Sequence, residues 1–283
     1  MPLMSRNAKG KSVRQRRIHR ALREAAGTSE VVEAALADFR ARYPAEHLPP
    51  LVIVIAALDE EAALPSVLAE IPPRIGSLDA RVLVVDDGST DRTAEVAEAG
   101  GALVCRLSRN CGHGVALRTG YRIAREGGAR YIATLDADGQ WDPADLPAMI
   151  ELLEADKADF VIGSRQLGRT ENTDAVRNLG VRFFSRLISF LTGTRVTDSS
   201  SGLRAMRAEI TATVRQTQPQ YQTSELLIGA ILQGYRVAEV PTVMRVRRAG
   251  RSKKGHNLLY GLRYARVILR TYVRERFSRT ASS

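Results

Sequence analysis

Arg81-Val-Leu-Val-Val-Asp86-Asp87-Gly88-Ser89-Thr90-Asp91 decides the fold. Residues 81–85 are a short run dominated by branched apolar side chains, as a strand buried in a parallel sheet requires. Two acids, a glycine and two hydroxyl residues then supply turn chemistry, and Ser89 or Thr90 is the expected N-cap of a helix over 89–99. The same unit recurs on either side. A fully apolar run at 51–57 predicts a strand and 60–71 a helix. Strands are expected at 102–107 and 131–135, with a helix at 115–125 between them. Asp142-Pro143 opens another helix with a cap residue and Pro at its first position, and 160–162 is strand again. This alternation predicts an α/β fold, an open and mostly parallel sheet with helices on both faces. Ligands on such sheets bind beyond the carboxyl ends of the strands.

The 283-residue chain is 44% hydrophobic and 26% charged, enough for one sizeable core. Its longest uninterrupted apolar run, 51–58, is far short of the roughly 20 residues of a membrane-spanning helix. The basic N-terminus has no apolar core behind it and is not read as a secretory signal. Cys105 and Cys111 are the two cysteines, so neither a disulfide framework nor a zinc site is indicated, and a cytoplasmic location is expected. The net charge of +11 is uneven: residues 1–23 carry +8 and 245–283 carry +11, which leaves 24–244 at −8. Basic ends attract phosphates, on nucleic acid or on an anionic membrane; residues 1–23 read equally well as a solubilising tail. Without an aromatic platform or a DNA-binding motif, nucleic acid is not an expected partner. Residues 1–48 are read as a basic leader, partly disordered or helical, with a short helix at 29–42. Residues 49–250 are the α/β domain, and 251–283 a basic loop and amphipathic helix.

Chemistry concentrates at three turns. Asp86 and Asp87 can accept hydrogen bonds from a ribose or base, although acids are also ordinary turn residues. Asn110-Cys111-Gly112-His113-Gly114 offers glycines that let backbone approach a ligand. Leu135-Asp136-Ala137-Asp138-Gly139-Gln140 is the strongest signal. Residues two apart in an extended segment point the same way, so Asp136, Asp138 and Gln140 can offer oxygens to one hard cation, Mg²⁺ or Mn²⁺.

These three turns, in this order, resemble family 2 glycosyltransferases with a GT-A fold. They are most similar to the dolichyl- and polyprenyl-phosphate sugar synthases, dolichol-phosphate mannosyltransferase among them. Gly163-Ser164-Arg165, Asp198-Ser-Ser-Ser-Gly202-Leu203-Arg204, Glu239-Val-Pro241 and Arg247-x-x-Gly250-x-Ser252-Lys253 extend the likeness over residues 51 to about 255. Two positions depart from the family pattern. Ala56-Ala-Leu-Asp59-Glu60 stands for Pro-x-x-Asn-Glu, and His113 for a lysine, which would make that contact pH-sensitive. The resemblance implies an inverting transfer of a hexose, mannose or glucose, from GDP- or UDP-hexose to a polyprenyl phosphate. The runner-up is the same fold acting on a soluble small molecule. A sugar-nucleotide pyrophosphorylase would need a Gly-rich signature that residues 51–61 lack.

The donor set is then Ala57, Asp59, Glu60, Asp86, Asp87, Gly112, His113, Asp136 and Ala137. Asp136, Asp138 and Gln140 would hold the ion. Arg165, Arg177, Arg182, Arg247, Ser252 and Lys253 are the candidates for gripping phosphates. If the acceptor is a hydroxyl, Asp198 and Glu225 are the candidate bases, joining Asp138 and Arg165 in the catalytic set. The acceptor side adds two amphipathic helices. Residues 176–191 set Arg177, Arg182 and Arg186 among apolar residues, at the position of an interfacial helix in the resembling synthases. Residues 256–277 stripe Arg263, Arg266, Arg270 and Arg274 opposite Leu258, Leu262, Ala265, Ile268, Leu269, Tyr272 and Val273. The second helix either lies in the headgroups of an anionic membrane surface, as a peripheral protein at the inner face of the cell membrane would, or packs on the domain or a second subunit. An oligomer is left open.

Overall fold

The computed structural model describes residues 26–44, 47–171, 174–218, 220–247 and 258–280. In chain order the first half comprises α1 (26–42), β1 (Leu51–Ala57), α2 (Leu64–Ala69), β2 (Arg74–Ile75), β3 (Leu78–Asp86), α3 (Thr93–Ala99), β4 (Leu103–Arg106), α4 (His113–Glu126) and β5 (Tyr131–Thr134). The second comprises α5 (Leu146–Glu154), β6 (Phe160–Thr170), α6 (Ala175–Thr192), β7 (Arg204–Arg207), α7 (Ile210–Thr213), α8 (Gln222–Leu232), β8 (Val237–Met244) and α9 (Leu258–Thr280).

Strands β4, β3, β1 and β5 lie side by side and parallel, as the alternating pattern predicts. Beyond β5 the sheet is mixed. β7 runs antiparallel to both β5 and β6, and β8 is parallel to β6. The reversal escapes the sequence pattern because β7, Arg-Ala-Met-Arg, is four residues long with an arginine at each end. It matters for the site: Arg204, the first residue of β7, pairs with Thr134, the last of β5. The loop that carries Asp198 is thereby delivered to the end of β5 that leads into Asp136.

Two apolar clusters sandwich the sheet. In β1, Val52 and Val54 join one cluster while Leu51, Ile53, Ile55 and Ala57 join the other, the period-two alternation of a strand buried on both faces. Helices α1, α4, α8 and α9 cover the first cluster; α2, α3 and α5 cover the second. The expected boundary after residue 48 is therefore corrected. Ala35, Leu36 and Phe39 of α1 are buried in the first cluster, so the globular unit begins before β1. Two helix starts also shift. The helix expected at 60–71 begins at Leu64, because the Glu60 and Glu61 amides donate to Thr93 Oγ1 (2.8 Å) and Asp91 Oδ2 (3.1 Å). The helix expected from Ser89 begins at Thr93, whose amide donates to Asp91; the Ser89 hydroxyl instead accepts from the Asp59 amide at 2.9 Å.

Candidate active site

The turns after β1 and β3 are laced together. Asp59, at φ 48°, accepts from the Thr90 amide at 2.8 Å, and the Asp87 amide donates to the Ala57 carbonyl at 2.8 Å. Asp86 is fully buried. Its Oδ1 accepts from the Ser89 amide at 2.8 Å; its Oδ2 lies 3.2 Å from Arg106 Nε, close enough to pair but not aligned as a hydrogen bond. The Asp87 carboxylate accepts from the Cys111 amide (2.8 Å) and the Gly112 amide (2.9 Å), tying the turn after β3 to the one after β4. Burial pushes the Asp87 carboxyl above its ordinary value, against the pull of those two amides. Only glycine fits at 88, where φ is +77° and a Cβ would lie 2.3 Å from the Arg109 carbonyl carbon. Asp86 and Asp87 thus hold the turns after β3 and β4 in shape from within. His113 opens α4 and is exposed.

The turn after β5 is built differently. Asp136 is half-buried, and its Oδ2 accepts from the indole N–H of Trp141 at 2.9 Å. It lies over Gly202, where a Cβ would come within 2.2 Å of that oxygen. Ala137 packs into the core. Asp138 Oδ1 accepts from the Gln140 amide at 3.1 Å, and its Oδ2 meets Arg247 Nη2 at 2.7 Å. The amide nitrogen of the Gln140 side chain reaches the Arg245 carbonyl at 3.4 Å. Among the described residues no three His, Cys, Asp or Glu side chains gather into a ready metal cage. Two carboxylates nevertheless fit Mg²⁺ or Mn²⁺, which take one or two such ligands where substrate phosphates complete the shell. The guanidinium on Asp138 Oδ2 is a stand-in cation at that oxygen.

Arg165 and Asp198, expected to meet phosphate and to serve as a base, instead bind each other. Arg165 Nε and Nη2 donate to the two Asp198 oxygens at 2.6 and 3.0 Å, and both residues are buried. Arg165 also lies 5.1 Å over the Trp141 ring, so Trp141 joins this pair to Asp136. Glu239 fixes the same loop by accepting from the Thr197 and Asp198 amides at 2.9 and 3.0 Å. Neither Trp141 nor Glu239 was among the expected site residues. The lone tryptophan, directly after the acidic turn, was the available signal.

Glu225 is a second correction. It is wholly buried, accepts from the Thr217 and Gln218 amides, and pairs with Arg274 at 2.7 Å. It anchors α9 and is not placed to reach an acceptor. Arg177 lies in the first turn of α6, whose N-terminus is capped by Asp174, and Arg182 donates to Gln166 at 2.9 Å. Ser252 and Lys253 lie outside the described residues.

The amphipathic helices form, with a correction to α9. Its packed face is Tyr264, Val267, Ile268, Thr271 and Glu275, so Ile268 belongs to the core. Leu262, Leu269, Val273 and Phe277 are exposed on the opposite side, interleaved with Arg263, Arg266 and Arg270. A helix of this length has room for both a packed face and a second apolar stripe. Helix α6 exposes Val176, Leu179, Phe183 and Phe190 with Arg182 and Arg186, and packs on α9 through Phe184 and Tyr264, whose ring centroids are 4.6 Å apart. No helix among the described residues is long and apolar enough to cross a membrane.

Comparison with known proteins agrees with this geometry. The profile of Glycosyl transferase family 2 matches residues 52–215, and the chain belongs to that family of enzymes. The chain is 36% identical over 203 residues to a dolichyl-phosphate hexose transferase of Haloferax volcanii, spanning 72% of this chain and 86% of that protein. It is 29% identical over 221 residues to an undecaprenyl-phosphate mannosyltransferase of Micrococcus luteus, with coverage of 72% and 86%. Glucosyl-3-phosphoglycerate synthase from Mycobacterium tuberculosis, solved with Mn²⁺, UDP and glucosyl-3-phosphoglycerate, superposes with a TM-score of 0.60. That match covers 86% of this chain and 82% of the other at 22% identity. It establishes the fold, a GT-A-like mixed sheet flanked by helices.

Proposed function

We propose that the protein is an inverting hexosyltransferase that moves mannose or glucose from GDP- or UDP-hexose to a polyprenyl phosphate. The observation that carries this is the fate of the base candidates. A hydroxyl acceptor requires a general base, yet Asp198 and Glu225 are both enclosed in buried ion pairs. A phosphate acceptor has no such requirement, since its second pKa is about 6 and its oxygen is already ionised at neutral pH. That oxygen bonds to the anomeric carbon as the bond to the nucleoside diphosphate breaks, and the departing diphosphate keeps the electron pair. Mg²⁺ or Mn²⁺ held by Asp136 and Asp138, with Gln140 beside them, would neutralise charge on the leaving group. Arg177, Arg182, Arg247, Ser252 and Lys253 are the residues proposed to bind phosphates. Asp59, Glu60, Gly112 and His113 would line the donor pocket that Asp86 and Asp87 hold in shape. The named relatives that act on dolichyl or undecaprenyl phosphate support the lipid acceptor. A soluble acceptor rests on structural likeness at 22% identity and is not favoured.

We also propose that the protein works at an anionic membrane surface without spanning it, at the inner face of the cell membrane. All exposed large apolar side chains among the described residues lie at or beyond Leu167, mostly on α6 and α9, and arginines flank them. Each arginine near an anionic leaflet contributes about 1 kcal/mol, and insertion of the apolar stripe adds a salt-insensitive part. The test presents a panel of nucleotide sugars with polyprenyl phosphate in anionic or neutral vesicles and identifies products by mass spectrometry. Hexosyl polyprenyl phosphate should form with one donor class, faster on anionic vesicles. Transfer to water-soluble phosphates alone would overturn the proposal.

A further inference from the structure

Arg247 follows β8, and the path of the chain there is set by the acidic turn itself. The Arg245 amide donates to the Gln140 carbonyl at 2.8 Å, Gln140 Nε2 returns a bond to the Arg245 carbonyl, and Trp141 bridges to Met244. Arg245 is held further by Glu70 at 3.0 Å and by Asp142. Two residues later the Arg247 guanidinium arrives at Asp138 Oδ2, 2.7 Å away, with Nη1 3.7 Å from Glu60 Oε1. Its side chain keeps partial access to solvent, at 22% exposure.

From this geometry we infer that Arg247 is a built-in competitor of the divalent ion at Asp138, a contact that lowers affinity for the free ion and is released when the nucleotide diphosphate arrives. The inference rests on the proposed role of Asp138 as an ion ligand. A guanidinium and a divalent ion cannot share one carboxylate oxygen at bonding distance without strong like-charge repulsion. The ion therefore enters only as Arg247 leaves. A displaced guanidinium beside the cleft needs an anion, and a diphosphate is the anion that arrives with the ion; guanidinium and phosphate match in bidentate geometry. Ion and nucleotide binding become positively coupled, and free Mn²⁺ or Mg²⁺ is held weakly when no donor is present.

Mn²⁺ titration followed by electron paramagnetic resonance tests this on the full chain, with folding checked by circular dichroism. The proteins are the wild type, Arg247→Ala, Arg247→Lys and Asp138→Asn, each alone and with UDP or GDP. Without nucleotide, Arg247→Ala should bind Mn²⁺ about tenfold more tightly than the wild type, and the tightening caused by nucleotide should shrink by a similar factor, a coupling of ordinary size. Arg247→Lys should stay nearer the wild type. Unchanged or weaker Mn²⁺ binding by Arg247→Ala, with Asp138→Asn defective, overturns the competitor role and leaves the ion site standing. Mn²⁺ binding that survives Asp138→Asn overturns the ion assignment itself.

Discussion

Two turns at the carboxyl edge of the sheet each present a pair of acids followed by glycine, Asp86 and Asp87 after β3 and Asp136 and Asp138 after β5. Their sequences look interchangeable, and their surroundings do not. Asp86 and Asp87 are buried and hold backbone amides of Ser89, Cys111 and Gly112. Asp136 takes an indole N–H; Asp138, also buried, takes the Gln140 amide on Oδ1 and, on Oδ2, the Arg247 guanidinium from the segment after β8. A carboxylate bonded to backbone amides of its own turns cannot change partners without opening those turns. An oxygen bonded to a partly exposed side chain, as Asp138 Oδ2 is, can. The first pair therefore braces the turns, and in the second pair Asp138 Oδ2 is the oxygen whose partner can exchange.

The sharpest way to break this contrast is Asp138→Asn. Transfer should fall on the order of 10⁴-fold, because the proposed ion would lose a charged ligand at the leaving group. Because Asp138 is buried and Arg247 only partly exposed, stability should also fall, by about 1–3 kcal/mol, so urea unfolding is measured beside activity to show that the variant is folded. Retained activity in the presence of excess chelator would make the β5 turn as structural as the β3 turn.

Next comes Asp198→Asn, which should act chiefly through stability. It leaves Arg165 buried without its bidentate partner, a loss of about 3–5 kcal/mol in urea unfolding. A variant that unfolds normally yet transfers nothing would return Asp198 to the reacting groups.

The difference between the two turns was only partly legible in the sequence. The strands β1, β3, β4 and β5 and the turns that follow them were, because apolar runs ending in acids and glycine have few other solutions. The burial of Arg165, Asp198 and Glu225 was not. Each looks like a candidate for solvent or substrate, and its partner lies far along the chain: 33 residues separate Arg165 from Asp198, and 49 separate Glu225 from Arg274. The antiparallel β7, too short for a periodic signal, is what brings the Asp198 loop to the β5 turn. Helix α9 misled in another way. Two apolar stripes on one helix cannot be separated by periodicity until one of them is seen to pack.

The smallest expected effect concerns pH and compares the β3 turn with a control at the start of β6. Burial raises the Asp87 carboxyl above its ordinary value, whereas hydrogen bonds from Arg236, joined by Arg207, hold Asp159 well below the usual carboxylate range. The signs are opposite. Between the ordinary carboxyl value near pH 4 and its raised native value, Asp87 binds more proton folded than unfolded, so its contribution to stability falls as pH rises. Asp159 binds less proton folded than unfolded, so its contribution is complete above about pH 4 and is lost as pH falls. Urea unfolding across this range, for the wild type, Asp87→Asn and Asp159→Asn, isolates each group as a difference curve. The wild type minus Asp87→Asn curve should decline from pH 4 upward and then level. The wild type minus Asp159→Asn curve should decline below pH 4. Both variants lose hydrogen bonds, which offsets each curve without giving it a slope, so the sign of the slope is the quantity to read. Slopes of the same sign would mean that the amides of Cys111 and Gly112 outweigh burial at Asp87.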